Sequence, residues 1–122
     1  MKQFEVRLIQ KGGHRFVEID GGTAVVEDEK DVVDLIGVCA EFNADRIMLH
    51  GRVLSERFFD LKTGQAGMVL QKLVNYRLRS AAVLSRDRIQ GKFGEFVVET
   101  NHGDHFRVFF DRPEAEAWLM AD

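Results

Sequence analysis

The chain has 122 residues, with 17 basic and 20 acidic side chains and a formal net charge of −3. This balance excludes a general electrostatic attraction to nucleic acid or to anionic lipid. The 45% share of hydrophobic residues excludes a wholly disordered chain, and the length suits one domain over residues 1–122.

The N-terminal third predicts a small antiparallel unit. Residues 4–9 begin with the alternation of a half-buried strand, and a glycine pair at 12–13 marks a tight turn. Residues 15–19 are the predicted hairpin partner. A second glycine pair at 21–22 turns the chain again, and the β-branched residues 23–26 predict a further short strand.

The rest of the chain alternates between helical and strand patterns. Apolar residues recur at helical spacing in three predicted helices, at residues 31–42, 65–76 and 89–100, and a fourth helix is predicted from its start at Asp111. Short apolar runs predict buried strands at residues 46–50, 80–84 and 106–110. Such alternation favours right-handed crossovers, so the predicted fold is an α/β domain. It has a mixed sheet, an N-terminal antiparallel hairpin and about four helices.

Polar residues mark where these helices begin. We predict Asp28 or Asp31 as the cap of the first helix and Thr63 as the cap of the second. Asp111 is followed by Pro113 in the first turn and by Glu114 three residues later, which is a strong helix start.

A motif of ten residues, FFDLKTGQAG at positions 58–67, continues through residues 70–72, 75–77 and Arg79. It resembles the bacterial family known as domain of unknown function 4180, over nearly the whole chain. The order of the predicted elements is in turn similar to that of anti-sigma-factor antagonist (STAS, SpoIIAA-like) domains. This resemblance implies a STAS-like fold.

The STAS resemblance also implies a regulatory function. In STAS regulators, phosphorylation of a serine or threonine at the start of the helix after the third main strand controls partner binding. Asp60-Leu61-Lys62-Thr63-Gly64 lies at the comparable place, although the usual serine pair is absent and Lys62 has no counterpart there. The resemblance implies a module that binds a partner protein, with Thr63 or Ser55 as its modification point.

The residues of this segment support two interpretations. A helix N-terminus with Lys62 beside it suits an anion, and Gly64 lets a ligand or partner come close. Alternatively, Thr63 only caps the helix, Phe58 and Phe59 pack in the core, and Lys62 is solvated. His50, which ends a buried strand, is predicted to face Asp60 or Thr63, or else to be a simple hydrogen-bonded histidine. The candidate interaction residues are His50, Ser55, Phe59, Asp60, Lys62, Thr63, Gly64 and Tyr76.

Other residues argue against catalysis. Cys39 lies on the apolar stripe of the first predicted helix, so we expect an inert thiol. His102, Asp104 and His105 match no usual zinc spacing, and a solvated turn is the expected role. No nucleophile, metal set or carboxylate pair can be assembled, so we expect no enzyme and no cofactor.

Three functions therefore stay open, in this order. The first is a non-enzymatic regulatory or protein-interaction module. The second is a domain that binds a small apolar ligand or an anion, since ten phenylalanines exceed the usual need of such a core. The third is an unrecognised enzyme. We expect a partner protein and a symmetric homodimer, but neither nucleic acid nor a membrane as partner.

The sequence also predicts a location. Cys39 has no second cysteine for an intramolecular disulfide, and the first residues lack the apolar run of a secretory signal. No stretch approaches the roughly 18 consecutive apolar residues of a membrane-spanning helix. We therefore expect a reducing, cytoplasmic setting.

Overall fold

The computed structural model describes residues 2–121, which contain five β-strands. The strands are β1 (Glu5–Lys11), β2 (His14–Asp20), β3 (Arg46–His50), β4 (Arg79–Val83) and β5 (Phe106–Phe109). They form one sheet in sequence order, in which β1 and β2 are antiparallel and the other three pairs are parallel. The predicted mixed sheet with an N-terminal hairpin is confirmed.

Five α-helices accompany the sheet in the described part of the chain. They are α1 (Glu29–Glu41), α2 (Glu56–Phe59), α3 (Gln65–Asn75), α4 (Gly91–Thr100) and α5 (Arg112–Leu119). Three of them were predicted from helical spacing, and α5 was predicted from its start at Asp111. The fifth, α2, has only four residues and is too short to show a helical period.

The strand predicted over residues 23–26 is wrong. Only Val26 pairs, in an isolated parallel bridge with Leu54. The strand that precedes this segment, β2, already has β1 on one side and β3 on the other, so it offers no free edge to a further strand. Residues 23–26 instead cross the end of the sheet toward α1.

Both faces of the sheet are covered, as is usual for parallel strands. The larger core packs α1, α3 and α4 against one face, through residues such as Leu35, Val69 and Val97. The smaller core packs α5 against the other face, where Ala115 and Leu119 meet a patch of strand residues: Phe16, Met48 and Ala81. Alternate residues of one strand therefore belong to different cores.

Asp28, one of the two predicted caps of α1, is its N-cap. Its carboxylate accepts a hydrogen bond from the backbone N–H of Asp31 at 3.0 Å, and the Asp31 carboxylate accepts from the Asp28 N–H at 3.4 Å. This reciprocal pair is a capping box. At α5, Asp111 accepts from the Glu114 N–H at 2.8 Å, so the predicted start of that helix is also confirmed.

Thr63 is not the cap of α3, which corrects the prediction. The N-cap is Gly64, whose positive φ of 79° is a conformation that glycine adopts without strain. Thr63 ends the preceding 3₁₀ turn, Leu61–Thr63. Gly64 therefore takes a backbone conformation in which a threonine would be strained.

Two arginines hold the C-terminal end of α5. Arg46 donates to the carbonyl oxygens of Leu119 and Ala121, and Arg79 donates to that of Trp118 at 2.8 Å. Both arginines stand at the first position of a parallel strand. Because α5 runs back across the sheet from there, its N-terminal end lies at the carboxyl ends of the strands.

No helix within residues 2–121 combines the length and the apolar character needed to cross a membrane.

We predict that Asp28→Ala lowers the free energy of unfolding by about 1 kcal/mol, because it leaves the Asp31 N–H without its acceptor. Asp28→Asn keeps a side-chain oxygen at the same place and is the matched control. Urea denaturation of both variants measures the difference. Equal stability of the alanine and asparagine variants would contradict the role of this cap.

Candidate ligand cavity

A cavity of about 740 Å³ lies at the carboxyl ends of β3 and β4. Its wall includes His50, the last residue of β3, and Ser85, which follows β4. Segments after both strands and after β5 complete it. This edge is where open α/β sheets commonly bind ligands, because the loops that leave parallel strands diverge there.

One side of the cavity is aromatic. Phe59 and Phe110 line it, and each ring carries a guanidinium group on its face. Arg88 lies 3.9 Å from the centre of the Phe59 ring, and Arg86 lies 4.1 Å from that of Phe110. Phe93 supports Phe59 from behind, at 5.3 Å between ring centres. These contacts give the apolar wall a defined shape.

Another part of the lining is polar. Nε2 of His50 lies 2.6 Å from Oε2 of Glu18, and the His50 side chain is 12% exposed. The hydroxyl oxygen of Ser55 is buried and has no hydrogen-bond partner among residues 2–121. A buried hydroxyl without a partner costs stability, and a ligand reaches the Ser55 oxygen only if this side chain turns toward the cavity.

Glu18 stands behind His50 as a buried carboxylate, only 2% exposed. The guanidinium of Arg112 donates to it through two parallel hydrogen bonds, each 2.8 Å long, from Nε to Oε2 and from Nη2 to Oε1. These bonds, together with the one from His50, lower the pKa of Glu18 to about 2 against the opposing effect of burial. Glu18 is therefore ionised at neutral pH.

The rim of the cavity carries charges that are paired. Arg52 contacts Asp20 at 2.8 Å, and Arg88 contacts Glu56 at 2.6 Å. The hydrogen bond from Arg88 lowers the pKa of the Glu56 carboxyl below its ordinary value. The two rim arginines therefore bring two carboxylates with them, and the rim is close to electrically neutral.

Three of the eight predicted interaction residues, His50, Ser55 and Phe59, line this cavity. The suggested partners of His50 are wrong, because its ring is bonded to Glu18 and not to Asp60 or Thr63. The interpretation of His50 as a hydrogen-bonded histidine agrees with this bond. The remaining five residues, Asp60, Lys62, Thr63, Gly64 and Tyr76, are exposed and line no part of the cavity.

Thr63 has a local structural role. Its hydroxyl lies 2.6 Å from the carbonyl oxygen of Arg57 and 2.8 Å from that of Asp60, and it accepts from the Gln65 N–H at 3.2 Å. These bonds tie α2 to the start of α3. Phe58 nearby is 1% exposed, whereas Lys62 is exposed, as the solvated-lysine interpretation of this segment requires.

Neither Glu18 nor Arg112 was predicted from the sequence as a residue of the site. Glu18 lies between Val17 and Ile19, so strand alternation sends it to the opposite face, which a hairpin normally exposes to water. Arg112 was considered only as part of a helix start. The apolar runs of β3 and β4 did indicate that the sheet is buried on both faces. Because Glu18 lies in β2, the neighbour of β3, the same burial extends to its side chain.

The other candidate groups are inert or exposed. Cys39 is buried, and desolvation raises the pKa of its thiol to about 12, which suits the predicted inert role. His102, Asp104 and His105 are exposed, and Asp104 contacts Arg107 at 2.9 Å. Among the described residues, no three His, Cys, Asp or Glu side chains converge on a point where a metal would bind.

Residues 11–119 match the family described as Domain of unknown function (DUF4180). The chain belongs to this family. The match confirms the DUF4180 resemblance that the motif at residues 58–67 indicated. No curated protein and no solved structure matches the chain.

We predict that Glu18 makes stability depend on acid pH. Its pKa is depressed from 4.5 to about 2 in the folded chain, so its contribution is complete above pH 4.5. That contribution, on the order of 3 kcal/mol, is lost as the pH falls through this window, because the unfolded chain takes up the proton first. Urea denaturation at a series of pH values measures it.

Glu18→Gln removes this titration, so the stability difference between the original chain and the variant should shrink as the pH falls from 4.5 to about 2. Comparing the two chains cancels the contributions of the other carboxyls. Glu41→Gln, at the exposed end of α1, is the matched control. A difference that stays constant over this range would show that Glu18 is not held as an ion.

Proposed function

We propose that this chain is a small-molecule-binding domain whose ligand occupies the cavity at the carboxyl ends of β3 and β4. The observation that carries the proposal is the cavity itself, whose lining combines the aromatic rings of Phe59 and Phe110 with the polar side chains of His50 and Ser55. The unpaired Ser55 hydroxyl costs about 1–3 kcal/mol, and a bound ligand recovers part of that cost if this side chain turns toward it. The volume of about 740 Å³ falls within the range of small-ligand sites.

The two walls of the cavity define the class of ligand. Phe59 and Phe110 offer apolar surface to a ring or a short hydrocarbon, and His50 and Ser55 are the polar side chains that offer hydrogen bonds. A compact organic molecule with one apolar part and one polar part satisfies both. This proposal gives the ten phenylalanines of the chain a partial role beyond the core.

We further propose that the fold is STAS-like. Two antiparallel strands are followed by three parallel crossovers and a final helix, which is the element order on which the resemblance depends. A second candidate function follows from this proposal, namely a cytoplasmic regulatory module that binds a partner protein through the exposed residues Asp60, Lys62, Thr63, Gly64 and Tyr76. Tyr76 favours it, because an aromatic side chain that is 55% exposed is suited to a protein contact.

Phosphorylation of Thr63 offers this module a switch. The modified oxygen no longer donates to the carbonyl oxygens of Arg57 and Asp60, so the turn that ties α2 to α3 loses those bonds. The phosphate also places about two negative charges one residue before Gly64, the N-cap of α3. A partner that reads this turn would distinguish the two states.

For the ligand proposal, we predict that native mass spectrometry of the purified chain shows a small-molecule adduct that denaturation releases. Ser85→Trp fills part of the cavity and should reduce the adduct at least about tenfold, since tryptophan occupies volume that the ligand needs. Lys30→Trp, on the exposed side of α1, is the matched control. Equal adducts in the two variants, or none in the original chain, would count against the proposal.

For the regulatory module, we predict that Thr63→Glu and Thr63→Ala recover different partner proteins from the native bacterium. Thr63→Ala should also lower stability by about 1 kcal/mol, because the hydroxyl bonds of the turn are lost. Thr63→Ser keeps the hydroxyl and is the control for both measurements. Identical partner sets for all three variants would argue against a switch at this position.

A further inference from the structure

The bond between His50 and Glu18 fixes which ring nitrogen carries hydrogen. An ionised carboxylate accepts hydrogen bonds and donates none. Glu18 is held in the ionised form by the guanidinium fork of Arg112, with both bonds at 2.8 Å. Because Oε2 of Glu18 lies 2.6 Å from Nε2 of His50, that nitrogen must be the donor.

The other ring nitrogen is then an acceptor. A neutral imidazole carries one N–H, so a hydrogen on Nε2 leaves a lone pair on Nδ1. Within residues 2–121, no hydrogen bond to Nδ1 is present, although the ring lines the cavity and is only 12% exposed. His50 therefore adds a free acceptor to the polar wall that the Ser55 hydroxyl already supplies.

We propose that Nδ1 of His50, when the imidazole is neutral, selects a ligand that presents a hydrogen-bond donor, such as a phenol, an alcohol or an amine. This inference rests on the proposed ligand-binding function and adds the polar group that the ligand must carry. A carboxylate at the same place is disfavoured, because its lone pairs face that of Nδ1. Arg112 does not reverse this preference, since Glu18 and Glu116, the latter at 3.1 Å, already hold its guanidinium.

The first test reads the imidazole directly. Nitrogen-15 NMR of the labelled chain, at a pH where the ring is neutral, should show the hydrogen on Nε2, with Nδ1 unprotonated. In Glu18→Gln the fixed carboxylate acceptor is replaced by an amide, so the bias toward this tautomer should decrease. Protonation of Nδ1 in the original chain would overturn the inference, whatever the chain binds.

The second test compares two probes that differ in one donor, 4-methylphenol and 4-methylanisole. Titrations followed through the amide signals of Gly51 and Ser55, both at the cavity, should give about fivefold tighter binding of the phenol, the worth of one hydrogen bond. In His50→Phe this preference should disappear. We expect Glu18 to keep both of its bonds to Arg112 in the His50→Phe variant, and the amide spectrum of the variant checks that the chain still folds.

His102→Phe, an exposed histidine outside this cavity, is the control and should keep the preference. Equal affinity of the original chain for the two probes overturns the inference and leaves the ligand-binding proposal standing. Failure of both probes to shift these signals at millimolar concentration also counts against the inference. A different result would contradict the ligand-binding proposal itself, namely the absence of any adduct in native mass spectrometry.

Discussion

The bidentate bond between Glu18 and Arg112 is the constraint on which the arrangement of this molecule depends. Glu18 stands in the second strand of the sheet and is 2% exposed, so its charge has lost nearly all contact with water. Such a charge is tolerated only where fixed donors replace the water. Arg112 supplies two of them from the first residue of α5, and the last helix must therefore cover this face of the sheet.

The same helix is held at its other end by a different kind of bond. Arg46 and Arg79 donate to carbonyl oxygens at the end of α5, where the helix no longer supplies an N–H group to every carbonyl. Cations at a helix C-terminus also interact favourably with its dipole. With charged contacts at both ends and Ala115 and Leu119 buried between them, α5 has little freedom to shift, and the Glu18 carboxylate behind His50 is correspondingly fixed.

Local pattern was enough to predict most elements but not the centre of the site. The strand at residues 46–50 was predicted with the bounds it has, because a mostly apolar segment of five residues is too short for a stable helix and fits the inside of a sheet. The burial of Glu18 depends on an arginine 94 residues later, and no window of sequence contains both. Thr63 failed as a cap for a local reason, since the glycine after it takes the left-handed conformation that begins the helix.

The electrostatics of the cavity follow from these fixed positions. Four arginines lie at or near the cavity, which suggests an anion site if charges are only counted. Three of them are already engaged by a carboxylate, Arg52 by Asp20, Arg88 by Glu56 and Arg112 by Glu18, and Arg86 lies on the Phe110 ring. An anionic ligand would have to compete with a carboxylate for three of the guanidinium groups, and the Glu18 pair cannot open without leaving a buried charge. For the proposed ligand, this balance favours a neutral or donor-bearing molecule, held by the aromatic wall and by the acceptor nitrogen of His50.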